Sequence, residues 1–585
     1  MKIIGDKLQC MRQYYEAAVS AAGAAQESFR KFRAQYRGDP SIDGSNEKAA
    51  FCRNVTYEII ESMISTVIPQ ARVDAAVFTD ENAGLAESVG RLCMKLRNKL
   101  DFERVNDVTE RDTTITGASI YLLEWDDTVR KRGSDGDICI SSVDPEDFFP
   151  QPNRSTVADM DYCFIRSKTT VRDIEERYGL GIEELGTLAV PDDEISGDGL
   201  TVEVITCFYF DDRGRLSRFV FSGETVLEDI PNYYSRKVTV CKRCGNSQES
   251  CACGEFEPVL VDKEIEEVSV DKLPTGLYTP EGAKTVNIPW YEPQTMPIVI
   301  RTNITRADRW YGESDCEFIR PYQQELNKIE SRIHSKLIGA SVIPVLPAES
   351  EFRLDNSLNS RVLRLREGED KGRYGVIDTS VDISQDMENA ERVYQMAKRS
   401  MGITDSFQGH ADNTAISGRA KQIQVNQSAG RMASKRVMKQ SAFAQMDRII
   451  FEYYLAYADE PRALSYVDAM GNRQSDRFCR YDFLRYDEKT GEYYYYDDFL
   501  FSVDSSNERE TEQDKLADKL FSQFAQGVLG DPSTPAAALR LWQCLDKLHH
   551  PLGRFNSEYF MHRVKELGSR AYEGEGSDNG AEDGG

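Results

Sequence analysis

Apolar residues recur at helical spacing at both ends and in the middle of this chain, and run or alternate between those stretches. Tyr322, Leu326, Ile329, Ile333 and Leu337 fall four, three, four and four residues apart, one stripe along a helix that begins at Ser314 and ends near Gly339. Ser314-Asp315-Cys316-Glu317 has the form of a capping box, with Ser314 placed to accept from the Glu317 amide and Glu317 to reach back. On the other face Glu325, Lys328, Glu330, Arg332 and Lys336 mix both signs, which suits a helix that packs beside copies of itself. At about 1.5 Å per residue, Asp315 to Ile338 would span roughly 36 Å.

After Gly339 the texture changes. Val342 to Leu346, Arg361 to Leu365 and Tyr374 to Ile377 read as short strands between polar turns. Helical spacing resumes from Met387 to Ser400, stops at Met401-Gly402-Ile403-Thr404, and gives way to a small, polar loop over Asp405 to Ser417. Arg419 to Tyr457 is helical again. No acidic residue occurs between Asp412 and Asp447, and Arg419, Lys421, Arg431, Lys435, Arg436 and Lys439 fill that gap.

The N-terminal third predicts helices over Leu8 to Tyr36, Tyr57 to Ile68, Glu81 to Leu100 and around Val105 to Thr114. Strands follow at Ala118 to Trp125, Asp137 to Val143, Thr201 to Phe210 and Arg218 to Phe221, so the class is α+β. Arg509 to Ser569 returns to helices with Leu516, Leu520, Phe521 and Phe524 on one face. Glu573 to Gly585 is Gly-rich and acidic, the composition of a disordered tail.

The order of these elements resembles the portal proteins of tailed bacteriophages. The resemblance rests on Gly312-Glu313-Ser314-Asp315-Cys316-Glu317, on Gly402 to Gly409, and on Asn413 to Ala420. Asp144 to Pro150 looks like the wing-domain turn of that family, and Phe501-Ser502-Val503-Asp504 like the strand before its C-terminal helices. It implies an α/β wing domain over 1–310, a stem helix over 311–340, a β-rich clip over 341–382 and a second stem helix over 383–403. A tunnel loop over 404–417, a long helix with the return of the wing over 418–508, a helical crown over 509–570 and a disordered tail over 571–585 complete the scheme.

In function the resemblance implies a ring, twelve-fold in virions, at one capsid vertex. Double-stranded DNA enters through it, driven by a terminase motor, and leaves by it later. Partners would be further copies of the chain, the terminase large subunit, a head-completion or adaptor protein, and the major capsid and scaffolding proteins. Synthesis would be in the host cytoplasm, with no membrane. Asp405, Ser406, Phe407, Gln408, Gly409, His410, Asn413 and Thr414 would form the DNA-facing loop. Arg361, Arg364, Arg366 and Glu367 would offer docking contacts to terminase or adaptor, although exposed charge on a strand edge also guards against aggregation. Arg419, Lys421, Arg431, Lys435 and Lys439 would face a neighbouring subunit or DNA; the four-residue spacing of the last three makes a ridge that serves either use.

Composition adjusts this picture. The chain has 585 residues, more than one hydrophobic core usually supports. It carries 72 basic and 98 acidic residues for a formal net charge of −26, which argues against coating nucleic acid through general positive charge. A negative bore would let DNA slide without sticking, and solubility alone would also account for the acidity. No run reaches the roughly 18–20 apolar residues of a membrane span, and Met1 to Asp6 opens no secretory leader.

Four of the thirteen cysteines cluster. Cys241-Lys-Arg-Cys244 and Cys251-Ala-Cys253 stand six residues apart, compact enough for four thiolates around one Zn²⁺. Strand-like flanks make the segment 237–261 a candidate zinc-stapled hairpin; four surface thiols, or a redox pair, are the alternatives. The family has no general need of such a site, so the hairpin reads as a local insertion. No nucleotide-binding, zinc-protease or serine-hydrolase signature is present, and no enzymatic activity is expected. A second functional class remains open from sequence: a cytosolic scaffold or adaptor carrying a structural zinc hairpin.

Overall fold

The computed structural model describes residues 6–39, 53–77, 79–99, 102–131, 134–179, 190–191, 200–241, 243, 256–261, 265–339, 342–345, 375–378, 382–403, 418–467, 473–504, 506–547 and 553–575. Helix and sheet are mixed through these residues, as an α+β chain requires.

The N-terminal helix Lys7–Arg37 starts where the Asp6 carboxylate accepts from the Leu8 amide at 3.2 Å. Met11, Ala18 and Ala22 on its first half bury against Phe149, Phe164, Phe219 and Phe221 of a six-stranded antiparallel sheet. That sheet runs in the order 148–150, 162–170, 200–210, 216–222, 225–230, with Val190–Pro191 paired to the end of Leu200–Phe210. Phe29 and Phe32, further along the same helix, enter a second and larger core. One continuous helix thus bridges two clusters.

The larger core surrounds a three-stranded antiparallel sheet, Ile298–Thr302, Ala118–Lys131 and Ser134–Val143, with Ala118–Lys131 central. The helix Gly418–Tyr457 lays Phe443, Met446, Ile450, Tyr453 and Tyr454 into that core. Gln70–Ala75 pairs antiparallel with Phe499–Asp504, so a strand near each end of the chain closes the same body. Helices Ser506–Ala525, Pro535–Lys547 and Gly553–Glu575 follow, the first two sharing a small cluster of Ala517, Leu541 and Leu545.

In the middle, helix Asp315–Gly339 packs beside helix Ser384–Ser400, with Val342–Val345 and Gly375–Asp378 forming an antiparallel pair between them in sequence. Asp386 ties the two helices through Arg332 at 2.6 Å and Lys336 at 2.5 Å.

Several expectations need correction. The helix expected over Tyr57 to Ile68 is Val55–Met63, because Ile64 turns to extended backbone and frees the following carbonyls for other partners. The capping box is not reciprocal: the Ser314 hydroxyl accepts from the Cys316 amide at 3.0 Å and donates to the Ile115 carbonyl. The apolar stripe buries Leu326 and Ile329 but leaves Leu337 more than half exposed. The C-terminal helix continues to Glu575, two residues beyond the Glu573 where disorder was expected to begin. Among the described residues no helix is long and apolar enough to cross a membrane.

Candidate functional site

Charged groups converge beneath the first turn of helix Asp315–Gly339. Arg301, on the inward phase of the apolar strand Ile298–Thr302, makes a two-pronged contact with Glu110 of helix Phe102–Thr116, Nη1 to Oε1 at 2.8 Å and Nη2 to Oε2 at 2.9 Å. Lys439 of the long helix reaches the same Glu110 Oε1 at 2.5 Å, and its ammonium also donates to the carbonyls of Ser65 at 2.9 Å and Val67 at 2.7 Å. Those carbonyls are available because the helix Val55–Met63 has already ended. Burial pushes the Lys439 ammonium below its ordinary pKa, and Glu110 opposes that shift.

One turn earlier on the long helix, Lys435 pairs with Asp315, the first residue of helix Asp315–Gly339, at 2.5 Å. Two turns after Lys439, Asp447 pairs with Arg97 at 2.5 Å, and Arg97 also donates to the Pro69 carbonyl. Asp447 is fully enclosed, and burial pushes its carboxyl up to about 6 against the pull of the Arg97 guanidinium. Phe443 lies beneath, with the Arg97 guanidinium 4.9 Å from its ring centre. The long helix is therefore bolted along one side to the start of helix Asp315–Gly339, to helix Phe102–Thr116 and to the segment 65–69.

Two glycines bring the backbones together at this point. Gly117 has φ of +94°, and a Cβ there would stand 2.5 Å from the Gly312 carbonyl oxygen. The Gly117 carbonyl accepts from the amides of Asn303 at 3.0 Å and Gly312 at 3.1 Å, and Glu313 donates to the Ile304 carbonyl at 2.9 Å. The chain thus enters helix Asp315–Gly339 through a clasp with no room for a side chain.

Lys435 and Lys439 were expected to face a neighbouring subunit or DNA, and both instead pair within their own chain, Lys439 in the core. Buried Ala442, Phe443 and Met446 on the same helix make that face an inner one. Arg419, Lys421 and Arg431 lie on the same helix at positions whose side chains are outside the described residues. The loop with Asp405, Ser406, Phe407, Gln408, Gly409, His410, Asn413 and Thr414 lies outside them too, as do Arg361, Arg364, Arg366 and Glu367. Of the four clustered cysteines, Cys241 is described, at the end of strand Arg236–Cys241 and paired in register with Phe256; Cys244, Cys251 and Cys253 are not.

Glu110, Arg301, Arg97 and Asp447 were not anticipated from sequence. One signal was available: an arginine on the buried phase of Ile298-Val299-Ile300-Arg301 demands a carboxylate from elsewhere in the chain. Which carboxylate answers is a matter of tertiary packing. The geometry has no nucleophile paired with a base, and what it does is hold elements in fixed relation.

Residues 274–540 match the model of the phage P22-like portal protein family. A comparison with curated proteins finds no match.

Proposed function

From the premise that residues 274–540 place this chain in the phage P22-like portal protein family, we propose that it forms a ring at one capsid vertex, the conduit through which double-stranded DNA is packaged and later released. The observation that carries this reading is the sequence of helix Asp315–Gly339, an antiparallel pair of short strands, and helix Ser384–Ser400, all inside the matched span. In the ring the two helices form the wall. Segment 341–382 is the docking surface for the terminase large subunit and then for a head-completion or adaptor protein, through Arg361, Arg364, Arg366 and Glu367. Capsid and scaffolding proteins meet the outer body.

The role is structural, and the energy of ATP is spent by the terminase. Each copy presents one patch to the neighbour on one side and a different patch to the other, as closed cyclic assembly requires. The expected symmetry is twelve-fold. Loop 404–417 faces the DNA, with small and polar side chains that slide without gripping, while Arg419, Lys421 and Arg431 meet a neighbour or the phosphates. A chain of net charge −26 keeps non-specific adhesion low. The joint at Glu110 and Asp315 holds the wall helix at a fixed attitude to the body.

Electron microscopy of the purified chain tests the reading. Closed rings with a central hole are expected, and a monomer or a two-fold particle at micromolar concentration would refute it. Deleting part of loop 404–417 should leave rings intact while packaging fails; normal packaging by that virus would remove the loop's assigned role.

A further inference from the structure

We propose that helices Ser506–Ala525 and Gly553–Glu575 are the two sides of a seam between copies of this chain, the outer face of Gly553–Glu575 on one copy seated on Ser506–Ala525 of the next. The proposal rests on the ring reading and names a surface that closes the ring.

Helices Ser506–Ala525, Pro535–Lys547 and Gly553–Glu575 follow one another, and the middle one packs against each of the others. Among the described residues they bury four apolar side chains, Ala517, Ala537, Leu541 and Leu545. Most helical stability in proteins comes from packing an apolar face, and so small a core is little to order three helices. Six of the twenty large apolar side chains exposed among the described residues are nevertheless here: Leu516, Phe521, Val528, Phe555, Tyr559 and Met561. That concentration marks a surface that another body covers.

On helix Gly553–Glu575, Ser557, Phe560 and Val564 fall three and four residues apart, are buried or half-buried, and mark the inner side. Phe555, Tyr559 and His562 fall four and three apart on the opposite side, and all three are exposed. Arg563 donates to the Tyr559 hydroxyl at 2.8 Å, which sets a guanidinium at the rim of that patch. A helix with apolar residues on both faces is one that is covered on both. On helix Ser506–Ala525, Ala517, Leu520 and Phe524 join the small cluster. Leu516 stands outside it, and Phe521, its ring centre 6.2 Å from that of Trp542, is still 39% exposed.

Charge decides which surface covers which. Helix Ser506–Ala525 has five acidic and three basic residues, a net −2, whereas Gly553 to Lys565, the stretch with the exposed aromatics, has one acidic and three basic, a net +2. Unlike faces attract and like faces repel, so each helix suits the other rather than its own counterpart. Within one chain each of them packs on Pro535–Lys547 and makes no comparable contact with the other among the described residues. A second copy supplies that contact. Joining two different patches is the heterologous arrangement that closes into a ring. Gly576 to Gly585, with Ala581 as their one apolar side chain, could cover neither face.

The full-length chain tests this as Leu516→Cys/Tyr559→Cys, treated with a short bismaleimide, with the unaltered chain giving the background from its own thiols. A ladder of multimers on a denaturing gel is expected, with position 516 linked to position 559 in the cross-linked peptides. No ladder above background, or links joining 516 to 516 or 559 to 559, would overturn the proposal. Phe555→Glu/Tyr559→Glu sets two acids against an acidic helix. It should lower the yield of rings in micrographs by about tenfold or more, with exchange protection in helix Phe102–Thr116 unchanged. Rings at full yield would overturn the proposal as well, and the cross-linking result decides even if the glutamate variant folds poorly. Absence of rings from the unaltered chain is a failure of the ring reading itself, whereas rings without the 516–559 link are a failure of the seam alone.

Discussion

Replacing Glu110 with glutamine should damage the joint far more than removing Lys439, although both residues belong to one ion cluster. Glu110 is 4% exposed and serves two cations, Arg301 and Lys439, both buried. Glu110→Gln leaves two positive charges in a low-dielectric site with no counter-charge in contact, and stranding a buried ion typically costs about 3–5 kcal/mol. Lys439→Met leaves the Arg301–Glu110 pair intact, with matched charges and both hydrogen bonds made. What it strands are the carbonyls of Ser65 and Val67, which belong to exposed residues and can take water, so its cost should be about 1–2 kcal/mol. Hydrogen exchange of the amides in helix Phe102–Thr116 reads these as local opening free energies. At about 1.4 kcal/mol per decade, Glu110→Gln should lower protection by roughly two to three and a half orders of magnitude, and Lys439→Met by about one. The pair should be non-additive, because removing Lys439 from the Glu110→Gln chain discharges one of the stranded cations. Equal losses in the two single variants, or a greater loss in Lys439→Met, would refute the account of Glu110 as the hub.

Asp447 gives a pH test: its carboxyl titrates near 6 when folded against an ordinary 3.8, so folding takes up a proton between those values and its contribution to stability declines as pH rises through that window. The unfolding free energy of wild type minus that of Asp447→Asn should therefore fall from about pH 4 to about pH 6, and a flat difference would contradict the burial argument. Gly312→Ala and Gly117→Ala should each cost on the order of 2–3 kcal/mol by forcing the clasp apart, seen as lost exchange protection in the first turn of helix Asp315–Gly339; unchanged protection there would mean the backbones separate freely. Asp386 is held below the ordinary carboxylate range by hydrogen bonding to Lys336 and by the Arg332 charge, so its tie between helices Asp315–Gly339 and Ser384–Ser400 is fully present above its ordinary pKa and lost as pH falls through its lower folded value. Asp386→Asn should abolish that acid-side loosening and its salt dependence, both measurable by exchange in helix Ser384–Ser400.

Elements with a long, unbroken helical period were readable from sequence, and helices Lys7–Arg37, Asp80–Lys99 and Gly418–Tyr457 fall within a few residues of where the spacing put them. Periodicity cannot say which neighbour a polar residue has. Ser314 and Glu317 satisfied a local capping rule, yet the Ile115 carbonyl drew the Ser314 hydroxyl away. Ile64 continued an apolar pattern, but the backbone left the helix there so that Ser65, Thr66 and Val67 could offer carbonyls to Lys439 and Asn106. The basic run of the long helix looked like one surface; burial of Phe443 and Met446 just beyond it turned Lys435 and Lys439 inward. Each departure has one cause, a long-range partner that no local window contains.

The pairing of Gln70–Ala75 with Phe499–Asp504 bears on how the chain is made. Its first strand leaves the ribosome more than four hundred residues before its mate, a wait of roughly 20–90 s at 5–20 residues per second. Asp447, which neutralises Arg97, arrives nearly as late. During that interval the nascent body has an unpaired strand edge and an uncompensated Arg97. Nearly the whole polypeptide must be present before helix Asp315–Gly339 is clamped to the body, and a chain cut short by a stalled ribosome would lack the late residues that hold that helix in place.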